Sequence, residues 1–171
     1  MLPNQYNYDA AGNLIGGYEF FVENGITYQR HFTGQADWLS VHQCNPKLVG
    51  NLILRPDVTW VSDSAFYQCE NLFSIRLPDG VTHIEELAFD GCSLLTEVTM
   101  PAGAIVDIGA FNNCHSLRRL VLTGDADAAA LTNCLRWVLT EQQLRSLTLC
   151  GTAGSAVQQA AHNLGCAFEA L

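Results

Sequence analysis

Cysteine and histidine lie close together at two places in the chain, His42-Gln-Cys44 and Cys114-His115. Such pairs can serve as zinc ligands, or as a thiol nucleophile with its base. Zinc sites usually show two ligand pairs at short spacing, and the chain contains neither C-x-x-C nor H-x-x-x-H. We therefore predict no metal and no cofactor. Pairing His31 or His42 with Cys44 remains the best candidate site if the protein is an enzyme of unknown type.

Other catalytic patterns are also missing from the sequence. The chain has no G-x-S-x-G elbow, no P-loop and no G-x-G-x-x-G run. Glu85 and Glu86 are adjacent carboxylates, but neighbours on an extended segment point to opposite faces, which favours a solvated surface over an acid/base pair. We predict that the protein is not an enzyme.

Basic side chains gather in segments that have the apolar pattern of strands. Four of the eight Lys and Arg residues lie there, and they alternate with apolar positions that face inward. The outward positions are the candidate binding residues: Phe73, Ser74, Arg76, Thr96, Glu97, Thr99, Arg118, Arg119, Val121, Arg145, Ser146 and Thr148. Arginine is suited to bidentate contact with carboxylates or other anions. The opposing explanation, that these charges only keep a sheet soluble, stays open.

A repeat positions these segments. Phe66, Phe89 and Phe111 each follow an alanine, with a cysteine three residues later and a leucine six residues later. The steps between them are 23 and 22 residues, a period typical of leucine-rich repeats, in which each unit gives one short strand and a return segment. The apolar columns predict parallel strands at about 49–54, 72–77, 95–100, 117–122 and 144–149.

The cysteines follow the same repeat. Cys69, Cys92 and Cys114 occupy one column, which predicts buried, reduced thiols, and Cys134 is a candidate for the same column. A disulfide that involves Cys44, Cys150 or Cys166 stays open.

The runs LAFDGCSLLTEVTMP, SAFYQCENLFSIRLP and GAFNNCHSLRRLVLT identify a family resemblance. They resemble the BspA-like leucine-rich repeat family of bacterial surface and secreted proteins, over about 49–122 and more loosely over 123–149. The resemblance implies an α/β fold: a right-handed leucine-rich repeat solenoid with a curved parallel sheet. It also implies bacterial adhesion or host contact.

Both ends of such a stack need covering elements. Residues 1–48 are predicted to form an N-terminal cap, with a β-hairpin at Asn24-Gly25 and a short helix from Asp37 to Gln43 with Trp38 and Val41 inward. Residues 49–122 form the regular repeats and 123–171 the helix-containing terminal repeats, with helices at about 127–140 and 155–164 and a last strand within 166–171. The whole chain, 1–171, is expected to be a single domain.

The net charge limits which classes of partner are expected. A formal net charge of −9 argues against nucleic acid or an anionic membrane, because both reward clustered Lys and Arg. No signal peptide or membrane span is recognisable, whereas the family is usually exported. A cytoplasmic protein and a secreted or surface protein without its leader therefore both stay open.

The leading hypothesis is a non-catalytic module that binds a protein or a glycan, one with anionic groups, through the outward strand positions. The alternatives are the Cys/His enzyme and a purely structural spacer.

Overall fold

The computed structural model describes residues 3–33 and 36–171, and its N-terminal part is an antiparallel meander. The strands are β1 (Gln5–Tyr8), β2 (Leu14–Glu23), β3 (Ile26–Thr33) and β4 (Asp37–Cys44). Asp9 closes the first turn, since its Oδ1 accepts backbone hydrogen bonds from Ala11 and Asn13 at 2.9 Å each. The second turn has Asn24 and Gly25 at φ 51° and 81°, as the predicted two-residue hairpin requires.

The helix predicted from Asp37 to Gln43 is wrong. That segment is β4, which pairs with β3 from Phe32 opposite Asp37 to Ile26 opposite Cys44. Val41 is fully buried but Trp38 is 37% exposed, so the two residues point to opposite faces. The spacing of three between Trp38 and Val41 is compatible with a helix. The segment forms a strand instead, because β3 offers its backbone N–H and C=O groups hydrogen-bond partners along its length.

Two sheets run through the rest of the chain. The first contains six parallel strands: β5 (Gly50–Ile53), β7 (Leu72–Arg76), β9 (Glu97–Pro101), β11 (Arg119–Thr123), β12 (Thr148–Gly151) and β13 (Ala167–Ala170). The second extends the meander in parallel from β4: β6 (Val58–Val61), β8 (His83–Ile84) and β10 (Ile105–Val106). The order of the second sheet is β1-β2-β3-β4-β6-β8-β10. Each central repeat thus contributes one strand to each sheet.

The predicted inward columns are confirmed with one exception. Pairing places Leu52, Ile75, Val98, Leu120 and Leu149 in one row across the six-stranded sheet. The last four are buried. Val49, the first apolar residue of the strand predicted at 49–54, is 67% exposed, because β5 starts only at Gly50.

The phenylalanine column forms the spine of the core. Phe66, Phe89 and Phe111 are fully buried, and their rings stack at 5.0 and 5.3 Å between centroids. The thiols of Cys92 and Cys114 donate to the carbonyls of Phe66 and Phe89 at 3.1 Å each. The cysteine column therefore satisfies backbone acceptors of the preceding coil.

The return turns repeat their backbone conformation as well as their sequence. Residues with φ between 55° and 86° recur in two columns, one of Ser64, Leu87 and Gly109, the other of Gln68, Gly91 and Asn113. Backbone hydrogen bonds connect successive turns, for example from Phe66 N to Ala88 O at 2.7 Å and from Gln68 N to Asp90 O at 2.8 Å. These bonds hold the turns in register without helical structure.

Helices replace the turns at the C-terminal end, as predicted. They are α1 (Ala128–Val138), α2 (Glu141–Ser146) and α3 (Ala156–Leu164). Asp127 caps α1, and Ser155 and Gly165 cap α3 at the predicted positions. The strand predicted from 144 to 149 is wrong in its first half, because residues 144–146 lie in α2 and β12 begins at Thr148.

Candidate functional site

The outer surface of the six-stranded sheet carries two rows of side chains, which together we call the six-strand face. Pairing in register gives a first row of Asn51, Ser74, Glu97, Arg119, Thr148 and Ala167. The second row is Ile53, Arg76, Thr99, Val121, Cys150 and Glu169. Neighbours in a row lie one strand spacing apart and contact each other. The structure therefore brings together most of the predicted binding residues.

Arg119 organises the charges of this face. Its Nε donates to Glu97 Oε2 at 3.0 Å, which confirms the predicted neighbours. Its Nη1 and Nη2 donate to the two carboxylate oxygens of Glu169, the Nη2 bond at 3.2 Å. These bonds to Glu169 and Glu97 raise the pKa of Arg119, and the bond from Arg119 lowers the pKa of Glu169. The guanidinium is thus already bound by two carboxylates of its own chain.

Cys150 lies below this ion pair. Its position in the second row points outward, yet its exposed fraction is 0%. Arg119 on β11 and Glu169 on β13 meet across β12, and their side chains cover the thiol. Burial raises the pKa of Cys150, and the nearby Arg119 charge lowers it by a smaller amount.

The β5–β7 end of the face is more open. Arg76 is exposed and, among the described residues, makes no ion pair. Phe73 is 42% exposed at the start of β7. Thr96 precedes β9, and its hydroxyl donates to the Phe73 carbonyl at 3.0 Å. A partner can therefore reach an uncompensated guanidinium and an aromatic ring here.

Arg118 belongs to a different surface from Arg119. Its Nη1 donates to the carbonyls of His115 and Leu117 at 3.0 and 2.8 Å. The side chain lines a groove of about 440 Å³ between the last return turn and α2, with Asn112 and Gln142 among the other polar residues that line it. The prediction that Arg118 shares the strand face is wrong, because its guanidinium bonds these two carbonyls and lines the groove on the return side.

Arg145 and Ser146 were also placed wrongly. Both lie in α2, where Arg145 forms an exposed i, i+4 pair with Glu141 at 3.4 Å. The Ser146 hydroxyl donates to the carbonyls of Gln142 and Gln143 in its own helix. Thr148 is the only predicted residue of this repeat that reaches the six-strand face.

The alternative thiol site does not assemble. His31 and His42 line one groove on the outer face of the seven-stranded sheet, whereas Cys44 is buried on the inner side. A hydrogen bond with Cys69 and burial raise the pKa of the Cys44 thiol, which disfavours the thiolate needed for nucleophilic attack. No group of three or more His, Cys, Asp or Glu side chains placed to hold a metal occurs among residues 3–33 and 36–171.

The remaining cysteines are free as well. Cys69, Cys92 and Cys114 are buried, and burial raises the pKa of Cys114 to about 12. Cys134 lies on α1, half-buried, where burial raises its pKa. In the part of the chain that the structure describes, no helix is long and apolar enough to cross a membrane.

Glu169 is the important site residue that the sequence prediction missed. A last strand was predicted within 166–171, and its register with β12 places Glu169 beside Cys150. Extending the outward rows to that strand would have revealed a second carboxylate near Arg119.

Two stacked rows of short strands, one per repeat of 22 or 23 residues, define a leucine-rich repeat protein of mixed α/β structure. The BspA type leucine rich repeat region matches in six copies over residues 43–155, and the chain belongs to this family.

One solved structure with weak similarity is a leucine rich cell surface protein from Faecalibacterium prausnitzii A2-165. It is 15% identical, with a TM-score of 0.38, over 67% of this chain and 41% of that protein. The chain thus spans less than half the length of that protein. No curated protein matches the sequence significantly.

Proposed function

We propose that the protein is a non-catalytic binding module whose protein partner contacts the six-strand face. The observation that carries this proposal is the register of six parallel strands, which aligns two outward rows into one continuous surface. Repeat proteins commonly bind partners on such extended surfaces. Membership of the BspA type repeat family supports a protein-binding or adhesion role.

The proposal includes the shape and the organisation of the chain. The repeats form a right-handed solenoid, and the six-stranded sheet curves so that its outer face is concave. The whole chain, 1–171, acts as one domain, with the meander of residues 1–48 covering one end, regular repeats over 49–122 and helical repeats over 123–171. Bacterial surface attachment or secretion rests on the family alone.

The charges of the face favour a partner different from the one the sequence suggested. Glu97 and Glu169 both bind Arg119, whose guanidinium is therefore engaged, whereas Arg76 forms no ion pair among the described residues. An anionic protein or glycan therefore gains little binding free energy from contact with Arg119. We propose that a protein partner contacts the open end, where Arg76 and Phe73 are free to form new contacts.

Charge reversal with a matched control tests the site. Arg76→Glu and Arg145→Glu each change the net charge by two, but only Arg76 lies on the six-strand face. A photo-crosslinking residue at Val121 captures the partner from a host-cell extract, and capture is then compared in the two variants. We expect Arg76→Glu to reduce capture and Arg145→Glu to leave it unchanged.

Two results would overturn the proposal. One is equal capture by both variants. The other is crosslinking only from a photo-crosslinking residue placed at Gln68 on the return side.

A further inference from the structure

The outer face of the seven-stranded sheet carries a second surface, rich in aromatic rings. One row of residues paired in register crosses this sheet: Phe20, Gln29, Ser40, Trp60, His83 and Ile105. His31 and Trp38 pair in the neighbouring row. The rows border a groove of about 500 Å³, which we call the indole groove, with Ser40 beside Trp60.

Stacking fixes the orientation of the indole rings. Trp60 stacks on His83 at 3.8 Å between centroids and 16° between planes, so the two rings lie nearly face to face. His83 lies on the β8 side of Trp60, and the uncovered face of Trp60 therefore looks toward Ser40 on β4. Trp38 stacks on His31 of β3 at 4.6 Å and 6°, which leaves its other face toward β6. Trp38 and Trp60 both line the groove, on neighbouring strands and one row apart.

Polar contacts hold the groove in this shape. The Ser40 hydroxyl donates to the Gln29 carbonyl at 3.3 Å and lies 3.2 Å from His31 Nε2. Ser40 is 1% exposed, so the neighbouring side chains, His31 among them, cover it at the floor of the groove. The site is therefore preorganised, because its rings and its polar contacts require no rearrangement.

The groove carries negative charge at neutral pH. Asp63 and Glu85 line it, and no Lys or Arg occurs among the described residues that do. Glu85 Oε2 accepts from the Asp63 backbone N–H at 2.8 Å, which fixes the carboxylate while its second oxygen stays available. Burial lowers the pKa of His31 and of His42, which favours their neutral imidazoles.

We propose that the indole groove binds the side chain of an arginine or lysine presented by a protein partner. Indole faces attract cations, and carboxylates at the rim add charge complementarity. The two carboxylates that line the groove favour a cation over a neutral sugar. This surface lies on the other sheet and goes beyond the function proposed for the six-strand face.

The NMR resonances of the tryptophan indole N–H groups, measured on the full chain, report binding directly. The chain has three tryptophans, and Trp137 on α1, 73% exposed, lies outside the groove and serves as an internal reference. The probes are acetyl-Gly-Arg-Gly-amide and the matched peptide with neutral citrulline. We expect the arginine peptide to shift the indole N–H resonances of Trp38 and Trp60 but not that of Trp137, and the citrulline peptide to shift none.

Isosteric variants separate the effect of a carboxylate in the groove from the effect of the net charge of the protein. Glu85→Gln removes the rim charge and keeps an oxygen that can accept the Asp63 bond, and Glu86→Gln removes the same charge from the adjacent position, which does not line the groove. We expect Glu85→Gln to weaken the arginine peptide about two- to five-fold, and Glu86→Gln to have no effect.

Three results would overturn the proposal. They are equal losses in the two variants, equal shifts at Trp137, and shifts of Trp38 and Trp60 by neutral chitotriose without any by the arginine peptide. The last result would identify a glycan site instead.

Discussion

Phe89 is the residue on which the central packing depends most. It stacks between Phe66 and Phe111 and is fully buried. Truncation to alanine therefore leaves a cavity that the surrounding side chains cannot fill. We expect Phe89→Ala to lower the free energy of unfolding by about 3 to 5 kcal/mol in urea titrations. Phe73→Ala removes a ring that is 42% exposed and should cost far less. Equal midpoints would contradict the assignment of inner and outer faces.

The reactivity of the Cys150 thiol tests whether the Arg119–Glu169 ion pair covers it. Glu169→Ala removes one carboxylate and releases the Nη atoms of Arg119, whose Nε stays bound to Glu97, and we expect this to uncover the thiol. We expect Cys150 to react with a maleimide faster in this variant, measured by mass spectrometry of the peptide that contains it. Glu86→Ala, a carboxylate remote from β12, should leave the rate unchanged. An unchanged rate in Glu169→Ala would show that the strands alone bury the thiol.

Each return turn needs a residue with positive φ at the same position, but only some turns have glycine there. Gln68 and Gly91 occupy the same column with φ of 55° and 77°, a region costly for side chains other than glycine. We expect Gln68→Gly to raise the free energy of unfolding by up to about 1 kcal/mol. Gly91→Ala should lower it by more than about 1 kcal/mol, since the added Cβ also lies 3.2 Å from Gln68 Cγ. Opposite signs in thermal unfolding confirm this, and equal signs contradict it.

Elements were predictable where the repeat constrained them. The steps of 23 and 22 residues fix the register of β7, β9 and β11, because a shift of one residue would expose every apolar side chain. No repeat constrains residues 37–43, and a spacing of three suits helix and strand equally. Before Leu144, the capping box of Thr140 and Gln143 was a readable signal for α2, but the leucine spacing concealed it.

The candidate site was less predictable than the fold. Register correctly placed Glu97 beside Arg119, because the repeat determines which outward residues are neighbours. It could not show that Glu169 would take the remaining donors of Arg119, since β13 lies beyond the regular repeats and 50 residues away in sequence. The indole groove was invisible for a related reason: the misassigned β4 supplies Trp38 and His42.

Across the whole molecule, pH dependence follows from the histidines of the indole groove. Burial lowers the folded-state pKa of His31 and His42 below the ordinary 6.5, so the unfolded chain binds protons first as pH falls. The contribution of these two histidines to stability is therefore fully present well above pH 6.5 and decreases as the pH falls below it. We expect the urea midpoint to decrease from pH 8 to pH 6, and less so in the double variant His31→Asn, His42→Asn. Parallel profiles would contradict this origin.

The core connects both ends of the molecule, and this predicts cooperative unfolding. One cluster of buried residues runs from Ile26 in the meander to Ala161 in α3, without a gap between the repeats. In a Trp137→Phe background, fluorescence reports only Trp38 and Trp60 at the N-terminal end, while far-UV circular dichroism senses the C-terminal helices. We expect the two urea transitions to coincide, as for a single domain. Separate midpoints would show that the N-terminal meander and the helical repeats unfold independently, and would contradict the proposed organisation of residues 1–171.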